Sequence, residues 1–173
     1  PWPRTTIAKL VDALKGYGAK AVGFDIVFAE PDDNSSLKTV AELARDVKNI
    51  GIGDSRLYGL LEQKQKAADT DAALARSIET AKNITLGYFF HITKKEVGHL
   101  TEQQITAGEN AVANGRFQMV RAKKGADEAP LIHAYAAQSN IPQLSEAGEN
   151  SGYFNAFPDS DGVIRWSPLV IKF

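Results

Sequence analysis

The run Ala21-Val22-Gly23-Phe24-Asp25-Ile26-Val27-Phe28 constrains this chain more than any other stretch. It is almost unbroken in apolar residues and stops at a polar turn, Glu30-Pro31-Asp32-Asp33-Asn34. A run of that length without alternation predicts a strand covered on both faces, as in parallel sheets flanked by helices. Just before it, Ile7, Leu10, Val11 and Leu14 make a helical stripe, with Thr5 or Thr6 as cap and Gly16 and Gly18 as terminators. Helix, short link and strand are half of an α/β repeat.

The same periodicities extend along the chain. Leu37, Val40, Leu43, Ala44 and Val47 predict a helix over 36–49, broken at Asn49-Ile50-Gly51-Ile52-Gly53-Asp54, and a more polar helix follows over 56–68. A helix over 71–82, capped by Asp69 or Thr70, leads into the β-branched and aromatic strand Ile84–Phe90. Between 93 and 129 the pattern weakens to a helix near 101–113, a short strand at Phe117–Val120 and a loop at 122–129; a further helix is expected over 131–139, ending before Pro142. Near the end, Gly152–Phe157 and Val163–Trp166 flank Pro158-Asp159-Ser160-Asp161-Gly162, a hairpin signature. The expected fold class is α/β, a mostly parallel sheet flanked by helices with an antiparallel C-terminal hairpin. At 173 residues the chain fits a single domain.

Charge and cysteine content remove several function classes. Lys plus Arg is 20 and Asp plus Glu is 21, so the chain lacks the basic excess of a general nucleic-acid binder. Without cysteine there is no thiol catalysis, disulfide or cysteine zinc site. Apolar runs fall far short of the roughly 18 residues a membrane helix needs. A start at Pro1 is expected of a processed or excised piece.

Asp25 is the most informative single residue. An unpartnered carboxylate inside such a strand costs several kcal/mol, so it must be paired, hydrogen-bonded or protonated. One reading places Asp25, Glu30 and Asp32 at the carboxyl end of a parallel strand, where open α/β sheets collect ligands. The other makes Asp25 a structural carboxylate that ties down the turn. An aspartyl phosphatase of the haloacid-dehalogenase kind needs a second Asp two positions on; Val27 stands there, so that match fails. Asn155, an amide in an apolar strand, needs partners, a ligand or solvent at an edge.

Asp159-Ser160-Asp161-Gly162 reads as a hairpin loop in which Gly162 takes a positive φ and Arg165 pairs with a carboxylate. As a calcium loop it lacks the third ligand and the distal Glu. His91, His99 and His133 show no metal spacing, and no Gly-x-Ser-x-Gly occurs. Gly51-Ile52-Gly53 is a loop rather than a dinucleotide fingerprint, and Lys94-Lys95 and Lys123-Lys124 are solvated pairs.

Three blocks stand in order: Trp2-Pro3-Arg4; Gly23–Phe28 with Glu30-Pro31-Asp32; and Gly152-Tyr153-Phe154-Asn155-x-Phe157-Pro158-Asp159-x-Asp161-Gly162-Val163-x-Arg165. With Asp71-Ala72-Ala73-Leu74-Ala75 and Asn83-Ile84-x-Leu86-Gly87 between them, they resemble the CHASE2 family of extracytoplasmic sensor domains. The resemblance spans 1–173, with residues 34–68 as a helical insertion. It implies the periplasmic part of a bacterial membrane receptor with flanking transmembrane helices and a histidine kinase, cyclase or cyclic-di-nucleotide output. It also implies dimerisation and a small-molecule or protein signal that the family leaves undefined; the residues themselves lead us to expect that signal near Asp25, Glu30, Asp32 and Asn155, or along a subunit interface, with no cofactor and no catalysis in this domain. Two other readings stay open: a metal-assisted hydrolase using the Asp25/Glu30/Asp32 cluster, and a purely structural spacer.

Overall fold

The computed structural model describes residues 2–33, 35–51, 54–117, 119, 121, 123, 125 and 130–173. Strand β2 (Ile84–His91) is the spine on which the sheet is built. Its alternation puts Ile84, Leu86, Tyr88 and Phe90 on one buried face. Helices α1 (Arg4–Gly16), α4 (Thr70–Ala81) and α7 (Pro142–Ala147) cover the first half of that face through Ile7, Val11, Leu74, Ile78 and Leu144. Val112 and Ala137 close the second half over Tyr88 and Phe90. Two parallel partners flank β2: β1 (Val22–Gly23), in register Val22 with Ile84, and β5 (Asn150–Tyr153), in register Tyr153 with Tyr88. Strand β4 (Ala136–Gln138) runs antiparallel against Phe89–His91.

The helices follow their sequence signals. Asp69 caps α4 by accepting from the Ala72 N–H, and Asp54 caps α3 (Ser55–Ala68) through the Arg56 N–H. Thr101 and Gln104 form a capping box on α6 (Glu102–Ala111), which lies after the short α5 (Lys94–Val97). Helix α2 (Ser35–Ile50) packs on α3 to make the helical hairpin of the 34–68 segment, burying Val47 and Leu61. Its stripe is narrower than expected, because Leu43 is 51% exposed.

Four expectations are corrected. The first strand is only Val22–Gly23 and is covered on one face: Val22, Phe24 and Phe28 point inward, whereas Gly23, Asp25 and Ile26 are exposed. After the Phe24 N–H donates to Thr85 O, the chain leaves β2 and the side chain of Asn140 takes its place. Asn140 Oδ1 accepts from the Phe28 N–H at 2.8 Å and its Nδ2 donates to Gly87 O at 3.0 Å. Gly87 is required there, since a Cβ would lie 2.3 Å from Phe24 O.

Residues 131–139 form strands, not a helix. Here β3 (Ile132–His133) and β4 satisfy open edges, which outweighs the helix propensity of the alanines. Pro142 opens α7 at its first turn instead of ending a helix. The strand expected at Phe117–Val120 is absent at Phe117 and Met119; Gln118 and Val120 lie outside the described residues, as do Ile52, Gly53 and most of the 122–129 loop.

The C-terminal hairpin does not form a ladder. A tight turn closes, with the Gly162 N–H donating to Asp159 O and the Asp159 N–H to Val163 O. The arms, however, are held by a stacked pair, Phe157 on Trp166 at 5.3 Å, while β5 is already committed to β2. The last strand, β6 (Ile171–Lys172), pairs in parallel with β3.

Beyond Tyr153, the pairing to β2 is continued by a side chain. Asn155 Oδ1 accepts from the Phe90 N–H and its Nδ2 donates to Phe90 O, both at 2.8 Å, reproducing a backbone bridge. Asn155→Ala strands both backbone groups in a partly buried site. It is expected to cost about 2 kcal/mol by urea unfolding, with accelerated amide exchange at Phe90. A midpoint equal to wild type would remove this role.

Candidate functional site

The first turn of α1 begins at Arg4 because Pro3 supplies a fixed φ before it, and no side chain of α1 caps that end. The cap expected from Thr5 or Thr6 comes instead from a distant carboxylate. Asp32 Oδ2 accepts from the Arg4 N–H at 3.1 Å and from Thr70 Oγ1 at 2.8 Å, so one carboxylate sits at the first residues of both α1 and α4. Negative charge there complements both helix dipoles.

The Arg4 side chain ties the same corner together. Its Nε donates to Asp71 Oδ1 at 3.1 Å and its Nη2 to Glu30 O at 2.9 Å. The guanidinium also lies 4.4 Å from the Phe28 ring centroid. The other oxygen of Asp71 accepts from the Asp32 N–H at 2.8 Å. The Arg4 and Asp71 side chains keep only 14% and 11% of their surface exposed, so this is a nearly buried ion pair with further hydrogen bonds on each partner.

Beside this clasp opens a cleft of about 710 Å³, with Trp2, Arg4, Val27, Glu30, Asp32 and Thr70 in its walls. The volume is within the range of small-molecule sites. Trp2 is 65% exposed there, and Asp33 at the rim pairs with Lys38 at 2.7 Å.

The candidate residues therefore separate. Glu30 and Asp32 come together in the cleft wall. Asp25 stands apart, exposed, with no hydrogen bond or ion pair among the described residues; the solvent solves the problem that burial would have posed. Asn155 is engaged with Phe90. In the C-terminal turn, Arg165 makes a two-pronged pair to Asp161 at 2.9 and 2.7 Å and reaches Asp159 at 2.8 Å, while Gly162 adopts φ 81°. The Arg165 hydrogen bond holds the Asp161 carboxyl below its ordinary value. Its support for the turn is thus present above the ordinary carboxylate pKa and lost as pH falls through the lowered one.

Among the described residues no three His, Asp or Glu side chains converge to hold a metal ion. The Asp25/Glu30/Asp32 hydrolase reading loses its geometry, since Asp25 is outside the cleft and Asp32 is engaged by Arg4 and Thr70. Arg4 and Asp71, which build the clasp, are not among the residues the sequence singles out as site residues. The signal was present in Trp2-Pro3-Arg4 and in an Asp in the first turn of α4, but only the fold shows that they meet.

A family model described as the CHASE2 domain matches residues 1–173, the full length of the chain. No curated protein and no solved structure matches it. No helix among the described residues is long and apolar enough to cross a membrane.

Proposed function

Because the chain belongs to the CHASE2 family of extracytoplasmic sensor domains over its whole length, we propose that it reads a stimulus for a bacterial transmembrane receptor. In this reading the stimulus is a small molecule held in the cleft beside the Arg4 clasp. The receptor is a dimer whose cytoplasmic output is a kinase, a cyclase or a cyclic-di-nucleotide enzyme. One observation carries the reading: the cleft wall and the start of α1 are the same hydrogen-bonded unit, through Arg4, Glu30 O and Asp32. A molecule that prefers one position of the 30–33 turn also prefers one position of the α1 N-terminus. That differential affinity is what a switch needs.

Glu30 offers a clean test. Its carboxylate is exposed in the cleft, while its contribution to the clasp is a backbone oxygen that substitution leaves in place. Native mass spectrometry of the gently purified domain is expected to show a retained small molecule in wild type and its loss in Glu30→Ala. Bare protein in both samples would overturn the cleft-ligand reading and move sensing to a subunit interface.

A further inference from the structure

The helical hairpin of α2 and α3 has a small core of its own. Val47 and Leu61 are buried where the two helices pack, and neither helix contributes a residue to the two clusters that hold the sheet. An apolar face is left over on this arm: Leu43 is 51%, Ile50 72% and Leu60 50% exposed. At about 100° per residue, Leu43 and Ile50 share a stripe roughly 80° to one side of the more covered Val40, Ala44 and Val47. Leu60 stands about 80° to the same rotational side of Leu57 and Leu61. In two antiparallel helices, offsets of the same sense fall on the same side of the pair, so the three residues make one face.

Charge is kept off that face. On α2, Lys38, Glu42, Arg45 and Lys48 turn away from it, and Asp46 stands at its outer rim. On α3, Glu62 and Lys66 turn away and pair with each other, while Arg56 takes the opposite outer rim. Lys64 lies along the seam, where its stem covers apolar surface while its ammonium reaches water. The Asp46 and Arg56 side chains are exposed and make no ion pair among the described residues.

We propose that this face is where two copies of the chain meet, their arms closing into a four-helix bundle. A second copy fits because the rims are self-complementary. A two-fold axis along the arm lays α2 of one copy on α3 of the other and brings each Asp46 beside the other copy's Arg56. Helices of 16 and 14 residues are about 24 and 21 Å long, so two of them side by side offer roughly 450 Å². Counted on both copies, this is about 900 Å², just under the size of a stable specific interface. The dimer is therefore weak, as suits a contact that a signal makes and breaks. This surface supplies the contact for the dimeric receptor proposed above, and rests on that reading for the dimer itself.

Sedimentation equilibrium of the domain from about 10 μM to about 1 mM, the range of weak interfaces, is expected to show monomer and dimer in exchange. Ile50→Lys and Leu43→Gln, both at exposed positions, should each weaken association by about tenfold, since a symmetric dimer loses each contact twice. Asp46→Arg and Arg56→Asp should each weaken it by about fivefold, and the two combined in one chain should restore it. Glu30→Ala should leave association unchanged, so the cleft reading and this one fail separately. A wild-type domain that stays monomeric throughout, whether or not it floats with lipid vesicles, would overturn the proposal. So would a dimer indifferent to Ile50→Lys and Leu43→Gln, or charge reversals that the paired exchange does not rescue.

Discussion

Asp71→Ala is expected to destabilise the domain by about 3 to 5 kcal/mol, the cost of removing one partner of a buried ion pair. The attraction of Arg4 for Asp71 is largely offset by taking both charges out of water, and the cost comes from what is left behind. The guanidinium, with 14% of its side chain exposed, remains held between Phe28 and Glu30 O. It loses the carboxylate that neutralised it, and the Asp32 N–H loses its acceptor. A typical domain is stable by about 5 to 15 kcal/mol, so the variant should show a clearly lower urea midpoint. Asp71→Asn should fall between, because its single carbonyl oxygen can serve the Arg4 Nε or the Asp32 N–H but not both. The double variant Arg4→Met with Asp71→Leu should lose less than the two single changes added together, since no orphaned charge remains. A midpoint for Asp71→Ala within error of wild type would show that the clasp does not hold this corner, and with it the coupling of the cleft to α1 would go.

The clasp also explains which parts of the architecture were legible beforehand. Local signals need only neighbours a few residues apart. The α1 stripe, the Asp69 cap and the apolar strand from Ile84 each carry their own evidence and lie where periodicity and capping put them, except that Leu10 is exposed and Ala8 joins Ile7 and Val11 on the buried face of α1. The blocks that resemble the sensor family are 28 to 67 residues apart in the bonds they make, Arg4 with Asp32 and Arg4 with Asp71. Their order in the chain was readable, but their meeting at one corner was not.

Asp25 lies in solvent rather than inside a covered strand for a related reason. An apolar run looks doubly covered when nothing marks which face a helix will take, and here the Gly23 and Asp25 face is left to solvent. Residues 131–139 depart from the expected helix because an alanine-rich stretch prefers a helix until an unpaired strand edge is offered to it. That edge belongs to Phe89–His91, more than forty residues away.

Asn140 was invisible for the strongest form of the same reason, and its replacement is the second large effect expected. Its amide stands in for a strand: it receives the Phe28 N–H and gives to Gly87 O, and all of it is buried, with 5% exposure. Asn140→Ala leaves a buried donor and a buried acceptor unpaired, each costing about 1 to 3 kcal/mol, so a loss of about 3 kcal/mol is expected. Asn140→Asp separates the two bonds. It keeps an acceptor for Phe28 but has no proton for Gly87 O when ionised, and it puts a charge where only neutral groups bond, so it should be no milder than the alanine variant. The readout that a general loosening would not give is local. Amide exchange should accelerate first at Phe28 and Ile141, whose N–H groups join segment 24–29 to the Asn140 turn, while the α1–α4 amides keep their protection. Segment 24–29 supplies Val27 and Ala29 to the cleft wall. An Asn140 variant that unfolds no earlier, or whose exchange rises uniformly, would mean that this segment is held by the packing of Phe28 alone and not by the amide that bridges it to β2.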